Sequence, residues 1–433
     1  MAQGPEWISP RFITHHDGLH LSGVSLAEIT EFVPPPFYVY DANIIRDQYK
    51  SLDTALSPHG IDIFFSMKAN PNLAVVHLLH SLGSGLEIAS KGELAALERL
   101  EILGDNISFA GPVKSDAALE AAINYGVFGI NVEGEDEFGR ISEIAKRLGV
   151  TQRVGIRVNP QFEVAGATVK MGGGPKQFGI DYEKIDPEFV ARVQALPNIN
   201  LIGVHIFAAS QILDTNVFLR NIGNSLKVAE ALNNFFPVRY LDLGGGLGIP
   251  YQPEDSKLPL DEISQSLGDL LEAYSFLKSN HTKIYMEPGR FLVGPSGIYV
   301  TQVDNVHQSR GETFARVNGG IHQMLRPALI GGAGHPIYNL SRLQEDPTTK
   351  ITVTGELCTP LDKLGIAMMP KTQKGDLIGV FNAGAYGWSE AMQFFLSHPT
   401  APEVMVGNGR WQIIRDRISP EEFLKGQYTF RTY

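Results

Sequence analysis

The chain has 433 residues, 43% of them hydrophobic, which is enough for one large domain with a smaller companion or for two of middling size. Its 36 Lys and Arg against 47 Asp and Glu leave a net charge of −11 without any dense basic run, so nucleic acid is not an expected partner. The single cysteine, Cys358, excludes an intrachain disulfide. No apolar run approaches the roughly 18 to 20 residues that cross a bilayer, and "MAQGPEWISPRF" lacks the order of a secretory signal, so a soluble cytoplasmic protein is expected.

Residues 1 to 37, with "FITHHDGLHL" and the run Pro34-Pro35-Pro36, are expected to add strands to a β-rich domain. From 38 to 294 short apolar runs alternate with amphipathic stretches such as "SKGELAALERLEIL" and "DEFGRISEIAKRLG". The runs are "FYVY", "DIFFSM", "GLEIA", "NISFAG", "FGINV", "RVGIRVNP", "LIGVHIFA", "RYLDLGGG" and "TKIYMEPG". Their number and unbroken spacing fit a (β/α)₈ barrel with one irregular unit better than an open doubly wound sheet. From 295 to 433 the texture changes to "GIYVTQVDNVHQ", "ETFARVNGG", "KITVTGELC", "DLIGVFNAG" and "RWQIIRD", the strands of a second, β-rich domain.

Within the barrel region, "IDIFFSMKANPN" runs Ile61, Ile63, Phe64 and Phe65 into Lys68 without alternation, as in a strand covered on both faces, and Pro71 stops it. A lysine there most often only meets water. At the C-terminal end of a barrel strand, however, a partly desolvated amine could form a Schiff base with an aldehyde. The three glycines of "RYLDLGGGLGIPY" follow a strand directly, so backbone N–H groups could approach a phosphate; the spacing is not that of a dinucleotide fingerprint, and a tight packing turn is the plain alternative. In "YMEPGRFLVGPSG", Glu287 ends a strand and Arg290 follows, offering a carboxylate to a heterocyclic nitrogen and a guanidinium to a phosphate, or simply a salt bridge to each other. His205 ends another strand, where a satisfied core histidine is the commoner outcome. "KMGGGPKQFG", 170 to 179, reads as a mobile glycine-rich loop at the barrel mouth.

Together these groups are what pyridoxal 5′-phosphate requires. "FFSMKANPN", "GLEIASKGEL", "RVNP", "GGGLGIPY", "EPGRFLVGPSG", "GELCTPLD" and "NAGAYG" resemble, in order and over nearly the whole chain, the fold type III pyridoxal-phosphate decarboxylases, the family of diaminopimelate and eukaryotic-type ornithine decarboxylases. The resemblance implies an alanine-racemase-like fold, a (β/α)₈ barrel with a C-terminal β-sandwich or β-barrel domain. It implies Lys68 as the Schiff-base lysine, His205 over the cofactor ring and Glu287 at the pyridine nitrogen. Gly244, Gly245, Gly246, Arg290 and Tyr386 match phosphate-binding positions, and Glu87 and Arg157 match positions near the Schiff base. Cys358 matches the cysteine that enters the site from the neighbouring subunit and returns a proton to Cα, which implies a homodimer with shared sites. No metal ligands are assigned.

Three features depart from the better-known members. The Asp or Glu that usually follows the cysteine, suited to a distal ammonium, is Thr359, with Asp362 three residues on. Arg326 still matches an arginine that holds a distal carboxylate, but the tyrosine that often follows is Ile330. "HIFAASQI" also delivers its Ser-Gln-Ile run later than in diaminopimelate decarboxylases, while "TVKMGGGPKQFGID", "LCTPLD" and "GAYGWSEAMQFFLSHP" are similar to a branch that includes the decarboxylase of carrier-bound glutamate and exosortase-associated relatives; siderophore pathways use related enzymes on citryl-bearing amino acids. The resemblance therefore implies a small amino acid or conjugate with an anionic distal group, carrier-bound in some members, with free diaminopimelate as the alternative. A racemase would be expected to place a catalytic tyrosine where Cys358 stands, and a non-catalytic cofactor carrier could dispense with the β-rich domain.

Overall fold

A computed structural model describes residues 4–164, 169–329 and 334–430. The chain divides into two compact units, one of residues 47–249 and 256–292, the other of 1–46, 250–255 and 293–433.

The first unit is a closed barrel of eight parallel strands: β1 (Ile61–Ser66), β2 (Gly85–Ile88), β3 (Ile107–Phe109), β4 (Gly129–Val132), β5 (Gln152–Asn159), β6 (Ile199–His205), β7 (Tyr240–Asp242) and β8 (Lys283–Met286). Each pairs with the next, and β8 returns to β1 through Ile284 and Ile61. These are the apolar runs expected from sequence, less the first. Near-complete burial of β2, β3, β4 and β5 explains their lack of alternation: one face meets the barrel interior and the other a layer of helices. Inside, the rings of Tyr240, Tyr285 and Phe64 fill the cross-section. Gly203 and Gly155 make room for them, since a Cβ at either would fall within 2.3 Å of an atom of Tyr240.

"FYVY" leaves the barrel. Phe37–Asp41 pairs antiparallel with Gly297–Ser309 and parallel with Glu403–Gly407, inside the second unit. It is wholly buried, as a barrel strand would be, so burial pattern alone could not separate it from its neighbours. In that unit Gly297–Ser309 is the longest strand. Its first half also pairs with Leu377–Phe381, and its second half with Glu312–Val317, which runs beside the hairpin Thr349–Thr354/Lys363–Met369. The hairpin loop, 355–362, carries Cys358 and Thr359. Residues 12–25 form a small sheet of their own. Among the described residues no helix is long and apolar enough to cross a membrane.

Candidate active site

The C-terminal ends of the barrel strands gather the polar side chains. Ser66 and Glu87 are in register on β1 and β2, and a single turn after β1 carries Lys68. Lys68 Nζ donates to Glu87 Oε2 at 3.0 Å, and Ser66 Oγ donates to the same oxygen at 2.5 Å. Glu87 is buried, whereas the Lys68 side chain keeps 41% of its exposure. A fixed carboxylate thus sits beneath an amine that solvent can reach.

Across the mouth, Arg157, His205 and Asp242 share one register on β5, β6 and β7, and Glu287 follows β8. His205 Nε2 lies 3.5 Å from Glu287 Oε2 and 3.7 Å from Asp242 Oδ2. Burial, reinforced by Arg157, Lys68 and Lys114, holds the imidazole well below its usual range, so it is neutral. Burial also raises both carboxyls, Asp242 to about 7 and Glu287 well above the ordinary range. Asp242 is held by the Gly244 N–H at 2.8 Å and Asn131 Nδ2 at 3.2 Å. Glu287 Oε1 is buried without a hydrogen-bond partner among the described residues. A cationic ring N–H would meet that orphaned oxygen.

The glycine run leaves β7. Gly244 and Gly246 take positive φ, 66° and 105°, which favours glycine. A Cβ on Gly245 would stand 2.5 Å from the Glu287 carbonyl oxygen, and one on Gly246 2.9 Å from that of Ala209. The N–H groups of Gly245 and Gly246 donate to no other described residue, leaving a backbone cradle for an anion; Arg290, buried, opens the short helix after β8.

Arg157 is not open to a ligand carboxylate. Its Nη1 donates to Glu133 Oε1 at 2.7 Å, and its guanidinium lies over Phe178 at 4.9 Å. Glu133 also accepts from the N–H groups of Gly111 at 2.9 Å and Gly179 at 3.2 Å, which pins the end of the glycine-rich loop after β5. Beside it, fully buried Lys114 pairs with Glu137 at 2.7 Å. Burial lowers Lys114 from its usual range, and Glu137 works against that. No motif in the sequence marks Glu133, Lys114 or Glu137. A signal existed only for Asp242, a lone acid in "LDLGGG" spaced two residues from the inward Tyr240.

In the second unit Cys358 is exposed and Thr359 Oγ1 accepts from the Leu361 N–H at 3.3 Å. Asp362, expected to touch substrate, is buried instead. Its oxygens accept from Ile321 N–H at 2.8 Å and Leu357 N–H at 2.7 Å, so both are committed to shaping the loop. Arg326 donates to both oxygens of Glu390 at 3.0 Å and lies over the Tyr386 ring at 5.2 Å. Glu390 carries no signal in the sequence, and its carboxylate occupies the arginine that the resemblance matches to a distal carboxylate. Ile330 lies outside the described residues.

The lysine, orphaned carboxylate, neutral imidazole and backbone cradle fit pyridoxal phosphate. The family pattern described as "Pyridoxal-dependent decarboxylase, pyridoxal binding domain" matches residues 42–294. The chain is 32% identical to the L-glutamyl-[BtrI acyl-carrier protein] decarboxylase of Niallia circulans, over 94% of this chain and 97% of that protein. It is also 32% identical to the diaminopimelate decarboxylase of Aquifex aeolicus, over 94% of this chain and 95% of that protein. The crystal structure of diaminopimelate decarboxylase from Helicobacter pylori complexed with L-lysine superposes with a TM-score of 0.84 at 27% identity, covering 93% of this chain and 98% of that one. The chain belongs to the pyridoxal-dependent decarboxylases of fold type III, and its cofactor is pyridoxal phosphate.

Proposed function

We propose that this decarboxylase removes the α-carboxylate of an L-amino acid whose side chain is conjugated, carrier-linked or of citryl type, in a biosynthetic pathway such as that of a siderophore or another natural product. The observation that carries the reading is Thr359, a neutral hydroxyl where distal-amine decarboxylases place a carboxylate. The Arg326–Glu390 pair supports it, because a guanidinium already matched by a carboxylate offers hydrogen bonds without net charge. That pairing modifies the expectation of a purely anionic distal group: a polar, neutral linkage such as an amide or thioester suits the pocket as well.

In this reading Lys68 holds the cofactor, with Glu87 fixing the amine. Gly244, Gly245, Gly246, Arg290 and Tyr386 take the phosphate, Glu287 takes the ring nitrogen, and the flat, neutral His205 packs on the ring. When bound, the cofactor supplies the sink for the electron pair left at Cα as CO₂ departs. Cys358, exposed on its loop, delivers a proton to Cα in a second copy, so two sites are shared in a cytoplasmic homodimer.

A second reading, meso-diaminopimelate decarboxylation, is favoured by Glu390: beside Arg326, it could take a distal ammonium while the arginine takes a distal carboxylate. Mass spectrometry of products from free, citrylated and carrier-bound amino acids separates the two. Loss of CO₂ from a conjugate, with little from free diaminopimelate, is the expected result; the reverse order overturns the proposal.

A further inference from the structure

Three segments of the β-rich unit bring two histidines and a glutamate together. His322 sits in the turn after Glu312–Val317, Glu356 in the loop that carries Cys358, and His398 just ahead of Glu403–Gly407. His322 Nε2 lies 3.7 Å and His398 Nδ1 3.6 Å from the same oxygen, Glu356 Oε1. One donor atom from each residue falls within 4.8 Å of the others. We propose that His322, Glu356 and His398 form a binding site for a divalent transition metal ion of the zinc type.

The plain alternative is a glutamate hydrogen-bonded between two histidines, and the geometry argues against it. Both contacts are too long for hydrogen bonds. His322 is 1% exposed, and neither ring nitrogen has a hydrogen-bond partner among the described residues. With neither nitrogen engaged, the neutral ring offers a lone pair, the form that ligates metals. Donors bound at about 2.0 to 2.1 Å around a tetrahedral zinc stand about 3.3 Å apart, and the 3.6 and 3.7 Å separations exceed that by a few tenths of an ångström.

The surroundings also suit an ion. Glu356 Oε1 accepts the Gly319 N–H at 2.8 Å, which orients the carboxylate as outer hydrogen bonds orient metal ligands. Gly319 has φ 81°, and a Cβ there would lie 2.1 Å from Tyr299 Oη, so the turn that presents this N–H and leads into His322 requires glycine. Glu356 and His398 are partly exposed, giving a path of entry and a fourth position for water. A bound ion would cross-link the Cys358 loop to two other segments. The sequence shows no metal motif because the ligands are far apart along the chain and meet only through the sheet.

The test uses full-length, tag-free holoprotein stripped with a chelator and reloaded with Zn²⁺ or Co²⁺. One equivalent of zinc per chain, and cobalt bands of four-coordinate type, are expected. His398→Ala and Glu356→Gln should each weaken zinc binding by at least about a hundredfold while pyridoxal phosphate content and melting temperature without metal stay unchanged. Substoichiometric zinc after reloading overturns the site, as does undiminished binding in His398→Ala, which replaces the partly exposed ligand and spares the core.

Discussion

Lys68 Nζ and Glu87 Oε2 stand 3.0 Å apart at the ends of adjacent barrel strands, with Ser66 tying the same carboxylate oxygen. If Lys68 carries the cofactor, borohydride should abolish the visible absorption of the holoprotein and leave the modification on the peptide containing Lys68. Mapping to another lysine would contradict the placement. Glu87→Gln keeps the shape but removes a charge-assisted bond worth about 1.5 to 3 kcal/mol, so kcat/KM should fall roughly ten- to hundredfold.

The Asp242–Glu287 pair gives the cofactor-free protein a pH signature. Both carboxyls are raised by burial, Asp242 to about 7, from unfolded values of about 4. Their contribution to stability is full below about pH 4 and is lost as pH rises through about 7. His205, pushed down by burial, contributes in the opposite sense: its share is present above about 6.5 and is lost as pH falls. Melting of the cofactor-free protein should therefore decline from pH 5 to pH 8. Asp242→Asn should flatten that decline and leave the acid side unaltered, whereas an unchanged slope would remove the pair from the account.

Lys114 and Glu137 form an ion pair with almost no solvent contact. Lys114→Met alone leaves a buried carboxylate uncompensated and should cost about 3 kcal/mol or more in urea unfolding. The double variant Lys114→Met/Glu137→Gln removes that charge, keeps an acceptor for the Glu133 N–H, and should recover most of the loss. Equal instability of the single and double variants would show that the pair is not the cause.

If Cys358 acts in the site of a second copy, complementation should follow. Lys68→Ala and Cys358→Ala homodimers, each with little activity, should regain activity when their subunits exchange, because some mixed dimers hold one intact site. Verified exchange without recovery would show that Cys358 does not act in a second copy.

The sequence made the barrel legible because eight strands buried on both faces stand out as apolar runs, and the site legible because barrel chemistry gathers at strand ends, where Lys68, His205 and Glu287 stood. "FYVY" was assigned to the wrong unit because a fully buried strand reads alike in a barrel or a mixed sheet. The partners of the site were harder. Glu133 and Lys114 bear on Arg157 through lateral neighbours on different strands and loops, a relation fixed by barrel closure and by no local spacing. Asp362 and Glu390 show the same limit: whether a carboxylate faces a ligand, a backbone turn or an arginine depends on contacts between segments distant in sequence.

The substrate reading rests on Thr359 and on the matched Arg326–Glu390 pair. With Thr359 neutral and Glu390 held by Arg326, a distal ammonium meets no uncommitted carboxylate, which discriminates by a few kcal/mol, roughly a hundredfold or more in kcat/KM. The most direct measurement is kcat/KM for conjugated amino acids beside free meso-diaminopimelate, in the unaltered enzyme and in Thr359→Glu. A conjugate should be preferred by about a hundredfold, and Thr359→Glu should shift preference towards the distal amine. Efficient turnover of free meso-diaminopimelate by the unaltered enzyme, with conjugates poorer, would contradict the account.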